Sequence, residues 1–423
     1  MHNRAGVAAR IAAGSAVRAV LTRGEPLGRP PGHLSTSDRA FADLLAKTTL
    51  RRAGQIDELL VHAAGRPLGK IREPVRSILR VCAAHLVFLD APPHTISTAV
   101  NAIRAVRPGA KAFANAVLRA AVRDAPIILS QQEAPRLNTP DSLWQSWQRD
   151  YGDDGATAIA QAHLIIPPLD VTCRDPAQAE QWAMRLEGIA LPGGGVRIPQ
   201  PPGDITKLAG FAEGAWWVQD CAARLATTAM TITPRMHVLD LCAAPGGKTA
   251  QLIAMGASVT ARESDSERAQ RLTENLARLS MEATIEVCDA RKAGGQFDGV
   301  LADLPCSASG TIRRHPDVAY RRRDPETLRA LQDALLAQAA HCVRPGGQLV
   351  MVTCSLAPEE GSGLAARFLT HHPSFTLTPL TPPWGLTQAA REAGFLQTLP
   401  YYWLDRGGMD GFFIARFLRT DNP

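Results

Sequence analysis

The stretch His237–Thr249 (His-Val-Leu-Asp-Leu-Cys-Ala-Ala-Pro-Gly-Gly-Lys-Thr) decides the fold. Val238, Leu239 and Leu241 read as a short buried strand, Gly246 and Gly247 as a tight turn, and Thr249 as the start of a helix. A strand–glycine turn–helix unit offers free backbone N–H groups and close backbone approach to a ligand. The spacing is not Gly-x-Gly-x-x-Gly. It is not Gly-x-x-x-x-Gly-Lys-Ser/Thr either, because no glycine stands five residues before Gly247. Neither a dinucleotide nor a nucleoside triphosphate is expected at this turn.

Downstream the chain alternates strand and helix. Strands are expected at Val238–Cys242, Ser258–Ala261, Thr284–Cys288, Gly299–Asp303 and Gln348–Thr353. Helices are expected at Thr249–Met255, Ser266–Ser280, Pro325–Val343 and Pro358–His371. A last strand, Gly411–Leu418, has no helix before it and is expected to pair antiparallel. This is an α/β layout with a parallel sheet.

Upstream the pattern differs. Residues 1–125 carry apolar residues at helical spacing, with Ser35-Thr36-Ser37-Asp38 as a helix-capping cluster and no strand alternation. Residues 126–140 hold Pro126, Pro135 and Pro140 and read as a connector. Residues 141–232 mix helix with a strand at Leu169–Cys173 and read as a small α+β subdomain; 233–423 is the α/β domain.

Charge divides along the same line. Residues 1–125 hold 19 Lys and Arg against 8 Asp and Glu; the remainder holds 27 against 32. The net charge of +6 therefore comes wholly from the helical third, as in a polyanion-binding module joined to a near-neutral domain. No apolar run approaches the ~18 residues needed to span a bilayer, so no membrane is expected. The eight cysteines show no Cys-x-x-Cys pair, so no metal is expected, and reduced thiols in a cytoplasmic protein are the natural reading.

Ligands of open α/β sheets bind at the carboxyl ends of the strands. Read in turn, those ends carry Asp240, Glu263 with Asp265 nearby, Asp289, and Asp303. An acid closing the second strand suits a ribose diol, and Asp289 suits an adenine amino group. These describe an adenosyl cofactor without phosphate. S-adenosylmethionine fits, with Lys248 facing its carboxylate. Cys306 and Cys354 stand at the ends of adjacent strands, and thiolates in such loops can attack electrophilic carbon. Carbon 5 of cytosine is too weak a nucleophile to take a methyl group directly. Thiolate addition at carbon 6 creates the enamine that can, and Asp303 at ring N3 would favour the addition. Position alone leaves open which cysteine attacks.

Asp240–Thr249, Asp303-Leu-Pro-Cys-Ser307 and Thr353-Cys-Ser355 resemble the RNA cytosine-5 methyltransferases of the NOL/NOP/Sun family. Arg313-Arg-His-Pro-Asp317 and Asp410-Gly-Phe-Phe413 are similar to that family as well, and the helical N-terminus resembles the NusB RNA-binding fold. The resemblance implies a multidomain chain: an all-α NusB-like N-terminal domain, a small α+β subdomain, and a C-terminal α/β Rossmann-like class I methyltransferase domain. It implies 16S rRNA as partner, Cys354 as nucleophile, and Cys306 as the thiol that assists product release. It also implies cofactor contacts from Cys242, Ala243, Ala244, Pro245, Gly246, Gly247, Lys248, Glu263, Asp289 and Asp303. The second-strand acid is usually Asp in this family and is Glu263 here. Arg313, Arg314, Arg321, Arg322 and Arg323 flank the fourth-strand loop and are candidate phosphate clamps. Trp216-Trp217 is read as junction packing rather than base stacking. A monomer is expected. The competing readings are a tRNA substrate and a catalytically silent RNA-binding assembly or antitermination factor.

Overall fold

The computed structural model describes residues 5–200, 203–292, 294–322, 324–391 and 393–420. The chain forms two units: Met1–Ile165 with Ile312–Arg322, and Ile166–Thr311 with Arg323–Pro423. Among the described residues no helix is long and apolar enough to cross a membrane.

The first unit is helical, as its sequence period requires. Its α-helices are α1 (Ala5–Arg18), α2 (Thr36–Arg51), α3 (Ala53–Ala64), α4 (Val75–Phe88), α5 (Ile96–Val106), α6 (Lys111–Ser130), α7 (Ala134–Leu137) and α8 (Asp141–His163). The Ser35 hydroxyl caps α2 by accepting the Asp38 N–H at 3.1 Å. α4 runs through the core: Ile78, Leu79, Cys82 and Leu86 pack with Ile56, Leu60, Val100, Ile103, Val117 and Leu118. Each such aliphatic burial stabilises by about 1.5–3 kcal/mol.

Two boundaries depart from the sequence reading. α6 does not stop at Pro126 but carries it as an interior residue. The lost backbone hydrogen bond is offset by the helix's last turns, where Ile128 and Leu129 pack on the cluster of Leu59, Ala121 and Ala125. Much of the expected connector at 126–140 is therefore helix. α8, broken at Gly152 (φ 72°), belongs to the helical unit and not to the α+β subdomain. Its Leu164 carbonyl accepts Arg52 Nη2 at 3.1 Å.

The second unit holds two sheets. The smaller comprises β1 (Leu169–Cys173), β2 (Ile189–Leu191), β3 (Gly195–Ile198) and β4 (Trp216–Val218), all antiparallel, in the order β2-β3-β1-β4. Helix α9 (Ala179–Arg185) packs its Trp182 and Ala183 against Val171, Val196 and Trp216. α10 (Cys221–Thr228) follows, capped by Asp220.

The larger sheet comprises β5 (His237–Leu241), β6 (Ser258–Glu263), β7 (Thr284–Val287), β8 (Phe297–Asp303), β9 (Val343–Thr353), β10 (Phe375–Thr378), β11 (Leu396–Gln397) and β12 (Phe413–Arg419). Its order is β10-β12-β9-β8-β5-β6-β7, with β11 on β12. β7, β6, β5, β8 and β9 run parallel. β12 pairs antiparallel with β9, from Phe413 opposite Thr353 to Leu418 opposite Gln348. The inner strands are apolar on both faces because helices cover both. α13 (Pro325–Cys342) and α14 (Ser362–His371) place Leu335, Leu336, Leu364 and Phe368 against Leu239, Val300 and Met351. α11 (Gly247–Ala254) and α12 (Ser266–Arg278) place Ala250, Leu272 and Leu276 against Ala261. The strand order reverses at β5, so a crevice opens at its carboxyl end between β6 and β8.

Candidate active site

The carboxyl edge of the parallel sheet collects the predicted residues in a fixed order. From β9 to β7 it carries Cys354, then Asp303 and Cys306, then Asp240 with the glycine turn, then Glu263, then Asp289. The thiols stand at one end of this row and the remaining strand-end acids at the other.

The turn after β5 is built from unusual backbone. Cys242 has φ 60° and Gly246 has φ 102°. A Cβ at Gly246 would lie 2.5 Å from Leu272 Cδ1, so the turn packs directly on α12. Asp240 beneath it is fully buried. Its Oδ2 accepts the Thr249 hydroxyl at 2.6 Å, while Oδ1 is buried with no hydrogen-bond partner. Burial pushes this carboxyl up to about 7, against the pull of Thr249 and Lys248. Lys248 reaches Asp303 Oδ2 at 2.7 Å and lies 5.4 Å from the Phe412 ring centroid. Burial works against the charge of this ammonium, but Asp303 outweighs it and the Lys248 pKa is raised. Lys248 thus meets a carboxylate of the protein itself.

Glu263 closes β6 almost wholly buried. Its Oε1 accepts the Ser264 and Asp265 N–H groups at 2.9 and 3.2 Å, and its Oε2 lies 3.3 Å from Arg268 Nη2. Arg268 also donates to the Ala244 carbonyl at 2.9 Å, joining the glycine turn to the end of β6. Asp265 is occupied otherwise: its carboxylate caps α12 through the Arg268 N–H at 2.9 Å. Asp289 is held by Arg291, side chain and backbone together, and its carboxyl is drawn down to about 2. The edge fits a ligand bearing hydroxyl and amine donors, since Asp240 Oδ1 and Glu263 Oε2 are buried oxygens that accept no hydrogen bond.

The sulfur atoms of Cys306 and Cys354 are 3.4 Å apart, both free thiols. This separation is a thiol–thiol contact, well beyond the ~2.05 Å of a disulfide. Cys306 is buried, and its contact with Cys354 together with burial holds it well above the ordinary thiol range. Cys354 is the more open of the two.

What brings the cysteine loops together is a group that sequence reasoning missed. Glu360 accepts the Ser307 N–H at 2.9 Å and the Ser307 hydroxyl at 2.6 Å. Ser307 contacts the Ser355 hydroxyl at 2.9 Å, and Gln332 from α13 donates to the Pro305 carbonyl at 2.9 Å. The Gly310 N–H donates to the Cys354 carbonyl at 2.9 Å. The one signal in the sequence is an acid pair, Glu359-Glu360, on a proline turn just after Cys354.

One member of the expected arginine clamp, Arg313, is corrected. Ile312–Arg322 belongs to the helical unit. Arg313 is 1% exposed, its carbonyl accepting Arg51 Nη2 at 2.7 Å. Arg314 is half-buried, and Arg321 is held by Asp317 at 2.7 Å. Arg322 is exposed, and Arg323 lies outside the described residues. A guanidinium sealed into a helical core cannot meet a solvent-borne phosphate. Trp216 and Trp217 are both buried, and Trp217 Nε1 donates to Gln219 Oε1 at 2.9 Å, as expected of packing residues.

The chain resembles known proteins over its length. Residues 227–418 match the family model of the 16S rRNA methyltransferase RsmB/F, and residues 8–123 match the NusB family. It is 34% identical to ribosomal RNA small subunit methyltransferase B of Sodalis glossinidius, covering 97% of each chain. It is 32% identical to the protein of that name from Xanthomonas campestris pv. campestris, covering 98% of each. Among solved structures, PH0851 superimposes with a TM-score of 0.73 at 24% identity, over 97% of this chain and 98% of that one.

Proposed function

The chain belongs to the RsmB/F family of 16S rRNA methyltransferases, and from that premise we propose that it methylates carbon 5 of a cytosine in 16S rRNA through a covalent Cys354 adduct. The observation that carries this reading is the thiol pair at 3.4 Å beside the Lys248–Asp303 ion pair, at the carboxyl edge of the sheet. A silent RNA-binding factor has no need of that arrangement.

S-adenosylmethionine, when bound, supplies an electrophilic methyl group. The residues that would hold it are the Cys242–Lys248 turn, Glu263 at the ribose and Asp289 at the adenine. Asp265 is the weaker ribose candidate, because its carboxylate already caps α12. Cys354 adds to carbon 6 of the pyrimidine as the thiolate. Asp303, steadied by Lys248, accepts a hydrogen bond from the cytosine amino group, and accepts the N3–H as well once N3 is protonated on thiolate addition. The resulting enamine takes the methyl group at carbon 5. Cys306, held as a thiol by its surroundings, stands beside the Cys354 sulfur and gives it a proton as that sulfur leaves carbon 6; the Cys306 thiolate left behind takes the carbon-5 proton. The target base must leave its stack, which costs least for an unpaired cytosine. The reaction belongs in the cytoplasm, where ribosomes are made.

Bisulfite mapping of rRNA and tRNA from a deletion strain tests this. A single protected cytosine in 16S rRNA that is lost on deletion supports it. A lost site confined to tRNA overturns the substrate, and no lost site overturns the activity.

A further inference from the structure

The sequence places the chain's positive surplus in its first 125 residues, and the structure shows where that surplus is not cancelled. Most arginines of the helical unit near an acid are paired with it. Arg80 holds Asp57 at 2.6 Å, Arg76 holds Glu73 at 2.9 Å, Arg123 holds Asp124 at 2.7 Å, and Lys47 holds Asp43 at 2.7 Å. Other cations of the unit, Arg104, Lys111 and Arg119 among them, form no ion pair among the described residues, and four more of this kind lie together. Arg66, Lys70 and Arg72 on the α3–α4 loop and Arg107 on the α5–α6 loop are exposed, and among the described residues none forms an ion pair. They converge on one cleft of about 270 Å³ whose lining contains no acid. The acid next in sequence, Glu73, faces away, bound to Arg76 and to the Ser77 hydroxyl at 2.7 Å.

The cleft is a formed surface and not a floppy fringe. Its floor is Ile71, Val75, Ala110 and Phe113, of which the first three are buried core residues. Arg66 lies over the Phe113 ring, 4.3 Å from its centroid, which fixes a guanidinium at the rim. Four like charges gathered without a counter-charge repel one another and favour an anionic ligand. Their origin on two separate loops suits a ligand with several spaced negative charges rather than one small ion.

We propose that the Arg66–Lys70–Arg72–Arg107 cleft binds the sugar–phosphate backbone of the substrate RNA. This rests on the reading of the chain as an RNA methyltransferase and adds where the helical unit grips its substrate. Backbone contact here sets affinity and register and carries no base specificity.

The test uses the full chain carrying Arg66→Gln, Lys70→Gln, Arg72→Gln and Arg107→Gln together, with Arg18→Gln, Arg39→Gln, Arg104→Gln and Arg119→Gln as a control that removes four cations outside the cleft. Binding of a labelled 16S rRNA fragment and of a poly(U) strand is titrated across KCl concentrations. The expected result is an affinity at least roughly tenfold weaker and a log K against log[KCl] slope shallower by roughly 2–3, with the control unmoved and the thermal midpoint retained. Unchanged affinity and slope in the folded quadruple variant overturn the cleft. A shift for an acidic protein but not for either RNA overturns it too. If the wild-type chain methylates no 16S rRNA yet its RNA binding still depends on the four cations, the cleft stands and the substrate reading falls.

Discussion

The Cys306 and Cys354 sulfurs touch at 3.4 Å across the ends of adjacent parallel strands, yet their surroundings differ: one thiol is sealed and held protonated, the other is open. Two thiols in contact need unequal surroundings if one is to attack and the other to wait.

Substitution separates those parts. Cys354→Ala should lower methyl transfer by on the order of 10⁴-fold or more while cofactor affinity stays within error, as calorimetry and a tritium-transfer assay would read. Cys306→Ala should let the base add and accept its methyl group but slow its release. A protein–RNA band on denaturing gels is the outcome to look for, and a clean gel would assign Cys306 another part.

Glu360 touches no reacting atom and is a positioning residue for both cysteine loops. Glu360→Gln keeps one acceptor for Ser307 and loses the charge. Turnover should fall roughly 10- to 100-fold with little change in the affinity for RNA or cofactor, since misplacement by about 1 Å costs on that scale. A loss that tracks only the melting temperature would mark the contact as structural.

Asp240 gives stability a pH signature. Its folded pKa, near 7, lies above the ordinary carboxyl range, so the native state holds its proton longer than the unfolded chain. The associated stability is full below about pH 4 and is lost as pH rises towards 7. Asp240→Asn should flatten the melting temperature across that window. An equally steep profile in the variant would show that another group is responsible.

Arg313 should behave as a core residue. Arg313→Ala ought to destabilise the chain by roughly 2–4 kcal/mol, whereas exposed Arg322→Ala stays within about 0.5 kcal/mol. Chemical denaturation reads both.

Much of the fold and of the site is legible in the sequence. The strands β5, β8 and β9 announce themselves by short apolar runs (Val238-Leu239, Val300–Ala302, Leu349–Val352), because both their faces are covered, and their ends then list the site in order. The antiparallel β12 was readable from the missing helix before it. β10 and β11 were not: each is short, and each exists only because β12 offers an edge. Pro126 misled because the local penalty of proline is visible in sequence and the packing of Ile128 and Leu129 that offsets it is not. Lys248 is expected to face the carboxylate of the cofactor, whereas its partner in the structure is Asp303, 55 residues away in sequence. Arg313 failed for a different reason. An arginine-rich run beside a catalytic loop carries the same letters whether it faces phosphate or is sealed against another helix.

That run also bears on how the chain can be cut. The Leu27 N–H donates to Asp317 at 3.0 Å, and the Tyr320 hydroxyl donates to the Leu50 carbonyl at 3.0 Å. The helical unit is thus completed by eleven residues encoded between Cys306 and Cys354. No single cleavage point in the polypeptide separates an intact helical unit from the rest. A gene fragment ending before Ile312 would encode the helical unit without the buried Ile312, Arg313 and Asp317.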